Sequence, residues 1–155
     1  MILTVHALAG AASGSFGSQS YPIAALLGFL SHLVLDVFPH AEYKIENLKK
    51  GNIDKKFFGD LSRVFLDALI GLSLVAYLSW GKEDFLYIMT GVVFGIFPDF
   101  MSFLGFIFKN EFFKKFMNFH EKIHVFKYKN VWPPLRVLSQ VFIFILAIII
   151  LASIK

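Results

Sequence analysis

Long apolar stretches of helical length most constrain what this chain can fold into. The clearest covers residues 133–154, where Arg136 near the start is the sole ionisable residue. At ~1.5 Å per residue, about twenty such residues cross the roughly 30 Å hydrocarbon core of a bilayer. Charged residues make up 17% of the sequence, against about 25% in a typical soluble domain. The sequence therefore predicts an integral membrane protein, with residues 1–155 forming one domain.

Five transmembrane helices are predicted, which gives an all-α, polytopic membrane helical bundle. Proline sets two of the bounds, because Pro22 suits a first helical turn and Pro39 holds the residue before it out of the helical region. A kink or break is expected at Pro98. The predicted spans are Ile2–Phe16, Pro22–Phe38, Phe57–Trp80, Phe85–Phe108 and Pro133–Ile154.

A sixth segment, Lys109–Tyr128, alternates phenylalanine and lysine at near-helical spacing. One apolar and one basic face are typical of a helix that lies in the membrane surface beside anionic lipid. The sequence therefore predicts an amphipathic surface helix, with membrane lipid as its partner.

Basic residues predict the orientation of the bundle. Most lie in the loop Ala41–Lys56 and in the surface segment, which five crossings place on the same side. By the positive-inside rule that side is cytoplasmic, together with the N-terminus, and the C-terminus is outside. No Lys or Arg precedes the early alanine-rich stretch, so we expect the N-terminus to be retained rather than cleaved as a signal peptide. The membrane is expected to be a prokaryotic inner (plasma) membrane. The net charge of +4 is assigned to this topology, and no nucleic-acid partner is expected; the oligomeric state is left open.

Ionisable residues within the spans are costly and are therefore functional candidates. Counting along the predicted helices brings them toward the cytoplasmic half of the bilayer. The chain has no cysteine, so any metal must be held by imidazole, carboxylate or backbone oxygen, which suits zinc, manganese, iron or magnesium. The converging residues are His6, His32, Asp36, Asp67, Asp99, His120 and His124, with His40 at the exit of the second helix.

The spacing of these residues fits metal ligation. His32 and Asp36 lie one helical turn apart on one face, so they can bind one cation, or Asp36 can orient the imidazole. His120 and His124 repeat that spacing and also match the H-E-x-x-H pattern of zinc peptidases, in which Glu121 would be the general base.

Structural roles remain open as alternatives for several of these residues. His32 and Asp36 would also suit a buried hydrogen-bonded pair. Asp67 has a possible ion-pair partner in Arg63, four residues earlier. Asp99, after Pro98, would also suit a helix cap.

Together the motifs resemble the membrane-bound, YdjM-type family of metal-dependent hydrolases. They read His6-x3-Gly10, Gly28-Phe-Leu-Ser-His32-x3-Asp36-x2-Pro39-His40, Gly95-Ile-Phe-Pro98-Asp99 and His120-x3-His124. The His-x3-Asp element is also similar to that of zinc-dependent phospholipase C and P1-type nucleases. The resemblance implies an all-α membrane fold with a site for two or three metal ions. It also implies ligands at His6, His32, Asp36, Asp99, His120 and His124.

The expected function is metal-dependent hydrolysis of a phosphoester, for example a phospholipid head group. Zinc is the first candidate cofactor, with manganese or iron as alternatives. Asp36, Asp67 and His40 are the expected catalytic residues. The rival hypotheses are a non-catalytic membrane scaffold and a metal-ion or proton transporter. A transporter would need ionisable groups in the outer half of the spans, where the sequence places none.

Overall fold

The computed structural model describes residues 2–17, 19–124 and 131–154. Within those ranges the chain forms seven α-helices and no strand. The helices are α1 (Leu3–Ser15), α2 (Tyr21–Val37), α3 (Glu46–Lys50), α4 (Lys55–Ser79), α5 (Phe85–Phe108), α6 (Glu111–Ile123) and α7 (Pro133–Ser153). The predicted all-α architecture is therefore confirmed, and each predicted helix has a counterpart within two residues of its expected bounds except in the surface segment.

The surface segment and the loop before α4 differ from expectation. The helix α6 begins after Asn110, whose side chain accepts a hydrogen bond from the Phe113 backbone N–H at 3.0 Å. It ends at Ile123, and the predicted residues 125–128 lie outside the described residues. The loop contains α3, a short helix that the sequence did not predict; Gly51 ends it with φ of 67°, a conformation that glycine adopts without strain.

Pro98 does not break α5. The helix is continuous from Phe85 to Phe108, and Pro98 is buried inside it. Proline removes one backbone hydrogen bond and crowds the preceding turn, but helices packed on their neighbours tolerate that loss. Of the kink or break expected at Pro98, the break does not occur, and Asp99 lies within the helix rather than at the start of a new one.

Three helices in the described ranges, α4, α5 and α7, are long and apolar enough to cross a membrane. The helix α2 has 17 residues, or ~26 Å, and α1 has 13 residues, or ~20 Å, against the roughly 30 Å of a hydrocarbon core. Length thus supports three crossings, while the full set of five stays a prediction.

The shortest of these helices, α1, is the centre of the bundle. It contacts α2, α4, α5 and α7, and eleven of its residues are buried. Its small residues allow this: a Cβ atom on Gly10 would lie 2.6 Å from the carbonyl oxygen of Gly91 on α5. A helix that is buried all round needs no polar face, and the close contact follows the small-residue packing expected in membranes.

Apolar side chains also cover much of the outside of the bundle. Leu26, Phe65, Tyr77, Phe142 and Ile149 are all exposed. Apolar exposure on this scale marks a surface that another apolar phase covers. The chain therefore has the polarity of a membrane protein, with polar groups gathered inside.

Candidate metal centre

All five histidines of the chain converge on one carboxylate, that of Asp36. Each points its Nε2 atom toward it. The Nε2–carboxylate distances are 2.8 Å for His120, 3.0 Å for His32, 3.3 Å for His6, 3.5 Å for His124 and 3.9 Å for His40. Asp36 is 1% exposed, and burying an ion without partners costs several kcal/mol. This carboxylate is therefore held at the centre of a ring of imidazoles.

Four residues of this cluster, His6, His32, Asp36 and Asp99, lie on the central helices and form what we call the core half. The Asp99 carboxylate lies 4.0 Å from the Nε2 atoms of both His6 and His32. The His6 and His32 rings stack with centroids 4.0 Å apart. These contacts join α1, α2 and α5.

Glycines one turn away from the ligands bring these helices together. Gly10 follows His6 on α1, Gly28 precedes His32 on α2, and Gly95 precedes Asp99 on α5. A Cβ atom on Gly28 would lie 2.9 Å from the Cα atom of Gly91, and one on Gly95 would lie 2.9 Å from the Cα atom of Gly10. Since residues four apart share a helix face, close backbone packing at the glycines places the ligands of three helices together.

The other four residues, His40, Glu42, His120 and His124, form the outer half of the cluster. His40 and Glu42 follow Pro39 in the segment that leaves α2, whereas His120 and His124 come from the last turn and the end of α6. Glu42 lies 3.4 Å from His40 Nε2 and 3.6 Å from His124 Nδ1. The outer half therefore depends on a loop and a peripheral helix.

Hydrogen bonds to backbone carbonyls fix two of the rings. The Nδ1 atom of His32 lies 2.7 Å from the carbonyl oxygen of Gly95, and that of His40 lies 2.7 Å from the carbonyl oxygen of Phe38. A carbonyl oxygen only accepts, so both Nδ1 atoms carry the hydrogen and donate. In the neutral form of each ring the Nε2 lone pair then faces the cluster, which is the usual arrangement around a metal-bound histidine.

Facing lone pairs require a positive species between them. His32 Nε2 lies 3.1 Å from His120 Nε2 as well as 3.0 Å from the Asp36 carboxylate. His6 is fully buried; its Nε2 atom lies 3.3 Å from the Asp36 carboxylate, and its Nδ1 atom has no hydrogen-bond partner in the described part of the chain. A proton or a divalent cation satisfies such a set, and imidazole with carboxylate is a donor set that suits zinc. The residues present therefore fit a metal ion.

The cluster contains two separate sets of three ligands. One is His6, His32 and Asp36, and the other is His40, Glu42 and His124; within each, the possible ligand atoms lie within 4.8 Å of one another. His120 joins further sets, with His32 and Asp99 or with Asp36 and His124. Asp36 reaches residues of both halves, so two ions held here would share it.

His124 lies outside the membrane-spanning helices, at the end of α6. Burial lowers the pKa of its imidazole below the usual value, although Asp36 and Glu42 oppose that shift. The ring is therefore neutral near pH 7, the form that binds metal.

The structure does not bring Asp67 into the cluster. Its carboxylate accepts hydrogen bonds from the Thr4 backbone N–H at 3.0 Å, from the Thr4 hydroxyl at 2.7 Å and from the Tyr43 hydroxyl. Burial and this carboxylate raise the pKa of Tyr43. Asp67 is in none of the ligand sets found among the described residues, because these donors use both of its oxygens. The ion pair weighed for Arg63 forms instead with Asp60, at 3.5 Å.

Sequence reasoning missed Glu42, which had been placed in a polar loop rich in lysine. Its position two residues after His40 was the available signal. Glu121, the general base of the zinc-peptidase alternative, is exposed. His124 ends α6 rather than continuing it, so this pair does not have the continuous-helix geometry of that motif.

A cavity of about 600 Å³ adjoins the cluster. The ligand residues in its wall are Asp99, Glu42, His120 and His124, and much of the remaining lining is apolar. Asp36 does not line it and lies behind these groups, although the sequence had also predicted a catalytic role for this residue. The cluster therefore has a front that a substrate can reach and a buried back.

Glu42 and Asp99 are the carboxylates that the cluster contributes to this front, with side chains 24% and 31% exposed. The exposed Glu121 also lines the cavity. The buried back consists of His6, His32, Asp36 and His40, none of which lines the cavity. Comparison of the chain with protein-family models, with curated proteins and with solved structures found no match. The function is therefore inferred from the chemistry of this cluster and its cavity.

Proposed function

We propose that the cluster is a centre for two divalent metal ions and that the protein is a membrane-embedded hydrolase of phosphoesters. The observation that carries this proposal is the convergence of all five histidine Nε2 atoms on Asp36, beside a cavity that Glu42 and Asp99, two further carboxylates of the cluster, line. A structural hydrogen-bond network would not need five imidazoles around one carboxylate, because a carboxylate has about four lone-pair positions.

In this proposal the core half holds one ion and the outer half holds the other, with Asp36 shared. Zinc is the first candidate, because imidazole and carboxylate ligands without thiolate are common in catalytic zinc sites. Manganese and iron accept the same donors. The carbonyls of Gly95 and Phe38 orient the ligands His32 and His40, a role whose loss typically costs about 10–100-fold in metal affinity.

Divalent ions in such a site polarise a phosphoryl oxygen and make water a competent nucleophile near neutral pH. Glu42 and Asp99 face the cavity, so either carboxylate can orient the water or take its proton. In the reaction the water oxygen bonds to phosphorus, the bond from phosphorus to the leaving oxygen breaks, and the water's proton ends on that leaving oxygen. Asp36 has no access to the cavity and acts only as a ligand.

The membrane placement belongs to the same proposal. The lysine-rich end of the bundle faces the cytoplasm of a prokaryotic cell, and the C-terminus faces outward. The Lys109 ammonium donates a hydrogen bond to the carbonyl oxygen of Lys50 at 3.2 Å. This bond joins the basic loop to the start of the surface segment, which supports placing both on the same side of the membrane. In a bilayer α1 and α2 complete five crossings, with the membrane thinned near α1 or water reaching its polar end.

The proposal is tested by phosphodiesterase activity of the purified protein in detergent. We expect metal-free protein to be inactive and zinc, manganese or iron to restore release of p-nitrophenol from bis(p-nitrophenyl) phosphate. Asp99→Asn should reduce that activity at least tenfold. Asp84→Asn, at the residue that precedes the same helix, is the matched control and should have wild-type activity. Absence of hydrolysis with every metal would contradict the hydrolase proposal.

A further inference from the structure

The cavity beside the cluster has a large apolar wall, which hydrolysis of a phosphoester alone does not require. Most of its wall is apolar and comes from α3, α4, α5 and α6. The apolar lining includes Leu48, Leu61, Val64, Ala68, Phe103 and Met117. A site for a small soluble phosphoester would not need this surface, since apolar lining favours ligands that bury hydrocarbon.

The ionisable lining is concentrated where the metal centre lies. Glu42, Asp99, His120 and His124 are all members of the cluster. Lys49 on α3 and Glu121 on α6 add one positive and one negative charge to the lining, and the Lys49 ammonium can pair with an anionic head group. The cavity is therefore polar at the metal centre and apolar beyond it. This polarity matches an amphiphile, which has a polar head group and an apolar chain.

The cavity also reaches the outer surface of the bundle. Phe65 on α4 and Phe100 on α5 line it, and these side chains are 63% and 52% exposed. Both helices are long and apolar enough to cross a membrane. In a bilayer these two side chains would lie against the hydrocarbon phase, which would let an amphiphile enter between α4 and α5 without passing through water.

We propose that this cavity is an acyl-chain site and that the substrate is a phosphoester carrying one long hydrocarbon chain. This inference rests on the proposed function and adds the apolar part of the substrate and the residues that select it. A volume of about 600 Å³ lies within the roughly 300–1,000 Å³ of small-ligand sites, which suits one chain and its head group. Each buried methylene should raise affinity by about fourfold until the apolar wall is filled.

A labelling experiment tests the chain site without using hydrolysis. The protein has no cysteine, so Ala68→Cys places a unique thiol in the apolar wall. The probe is hexadecylphosphonate, which has no ester bond to cleave. We expect it to slow reaction of the zinc-loaded variant with N-ethylmaleimide at least tenfold, octylphosphonate to protect less, and inorganic phosphate not to protect.

Leu69→Cys is the matched control, because Leu69 is the next residue on α4, is exposed and does not line the cavity. Its labelling rate should not respond to hexadecylphosphonate. Equal slowing at both positions, or none at Ala68→Cys, would overturn the chain site. Stronger protection by dioleoyl phosphatidic acid than by oleoyl lysophosphatidic acid would overturn its limit to one chain.

Substrate selectivity gives the second test. Ala68→Phe adds bulk to the wall and should lower at least tenfold the ratio of kcat/KM for hexadecyl p-nitrophenyl phosphate to that for ethyl p-nitrophenyl phosphate. Leu69→Phe should leave the ratio unchanged. An unchanged ratio in Ala68→Phe would overturn the chain site. If the wild type hydrolyses neither ester, the hydrolase proposal fails, and the labelling result still decides whether the cavity binds a chain.

Discussion

The two halves of the cluster are built in different ways. The core half lies on three helices that pack through glycines around α1, where the helix backbones approach to van der Waals distance. The outer half lies on the segment after α2 and on α6, a helix that packs chiefly on α5. The core half is therefore positioned by the fold itself, whereas the outer half depends on peripheral segments that bound metal would hold in place.

Asp36 is the residue that both halves share, so its replacement should have the largest effect. Asn has the same shape but lacks the negative charge, and its amide can donate to the surrounding imidazoles, so the fold should survive. We expect Asp36→Asn to lose more than the roughly 100-fold in activity that loss of a ligand-orienting residue can cost. Hydrolysis assays with far-ultraviolet circular dichroism as the folding control check this; wild-type activity would show that the halves do not depend on Asp36.

Replacing one histidine from each half should separate them. His6→Gln and His40→Gln each remove one imidazole near Asp36. We expect the first to weaken the binding of one metal ion at least tenfold more than the second, because His6 lies on the packed helix α1, whereas His40 lies in the segment after α2, which can readjust around an ion. Competition of each variant with a chelator measures the two dissociation constants. Equal weakening would show that the halves are not distinct.

The packing that supports the core half is tested at Gly91. A Cβ atom there would lie 2.7 Å from the Cα atom of Gly14. Gly91→Ala should therefore destabilise the protein by about 1–3 kcal/mol, as overpacking does. Gly59→Ala is the matched control: nothing lies within 4 Å of a Cβ atom at Gly59, so it should stabilise α4 by roughly 0.5–1 kcal/mol. Denaturation in detergent measures both, and a neutral Gly91→Ala would contradict the role given to the glycines.

The smallest effect is expected at Asp67, which lies outside the cluster but supports it. Thr4, its main partner, is two residues before His6, and Tyr43 adjoins Glu42. Asp67→Asn should speed the release of metal to a chelator by up to about tenfold while leaving the number of bound ions unchanged. Loss of an ion in this variant would contradict the account, because it would make Asp67 a metal ligand. No contact of Asp67 among the described residues indicates that role.

The sequence was a better guide to the core half than to the outer half. His6, His32, Asp36 and Asp99 lie on apolar helices, where an ionisable residue is conspicuous and helical spacing sets its face. Glu42 is in a loop among lysines, where a carboxylate is ordinary and no period fixes its direction. Asp67 looked like its neighbours in the spans, and only tertiary contacts with Thr4 and Tyr43 show that its oxygens are already used.

The metal content of the purified protein tests the central claim most directly. The account predicts two divalent ions per chain, one for each of the two separate ligand sets, measured by inductively coupled plasma mass spectrometry after reconstitution and removal of excess metal. It also predicts that Asp36→Asn loses both ions while Asp67→Asn keeps them. A folded wild-type protein that retains no zinc, manganese or iron would contradict the claim and leave the cluster as a hydrogen-bonded network of histidines around one carboxylate.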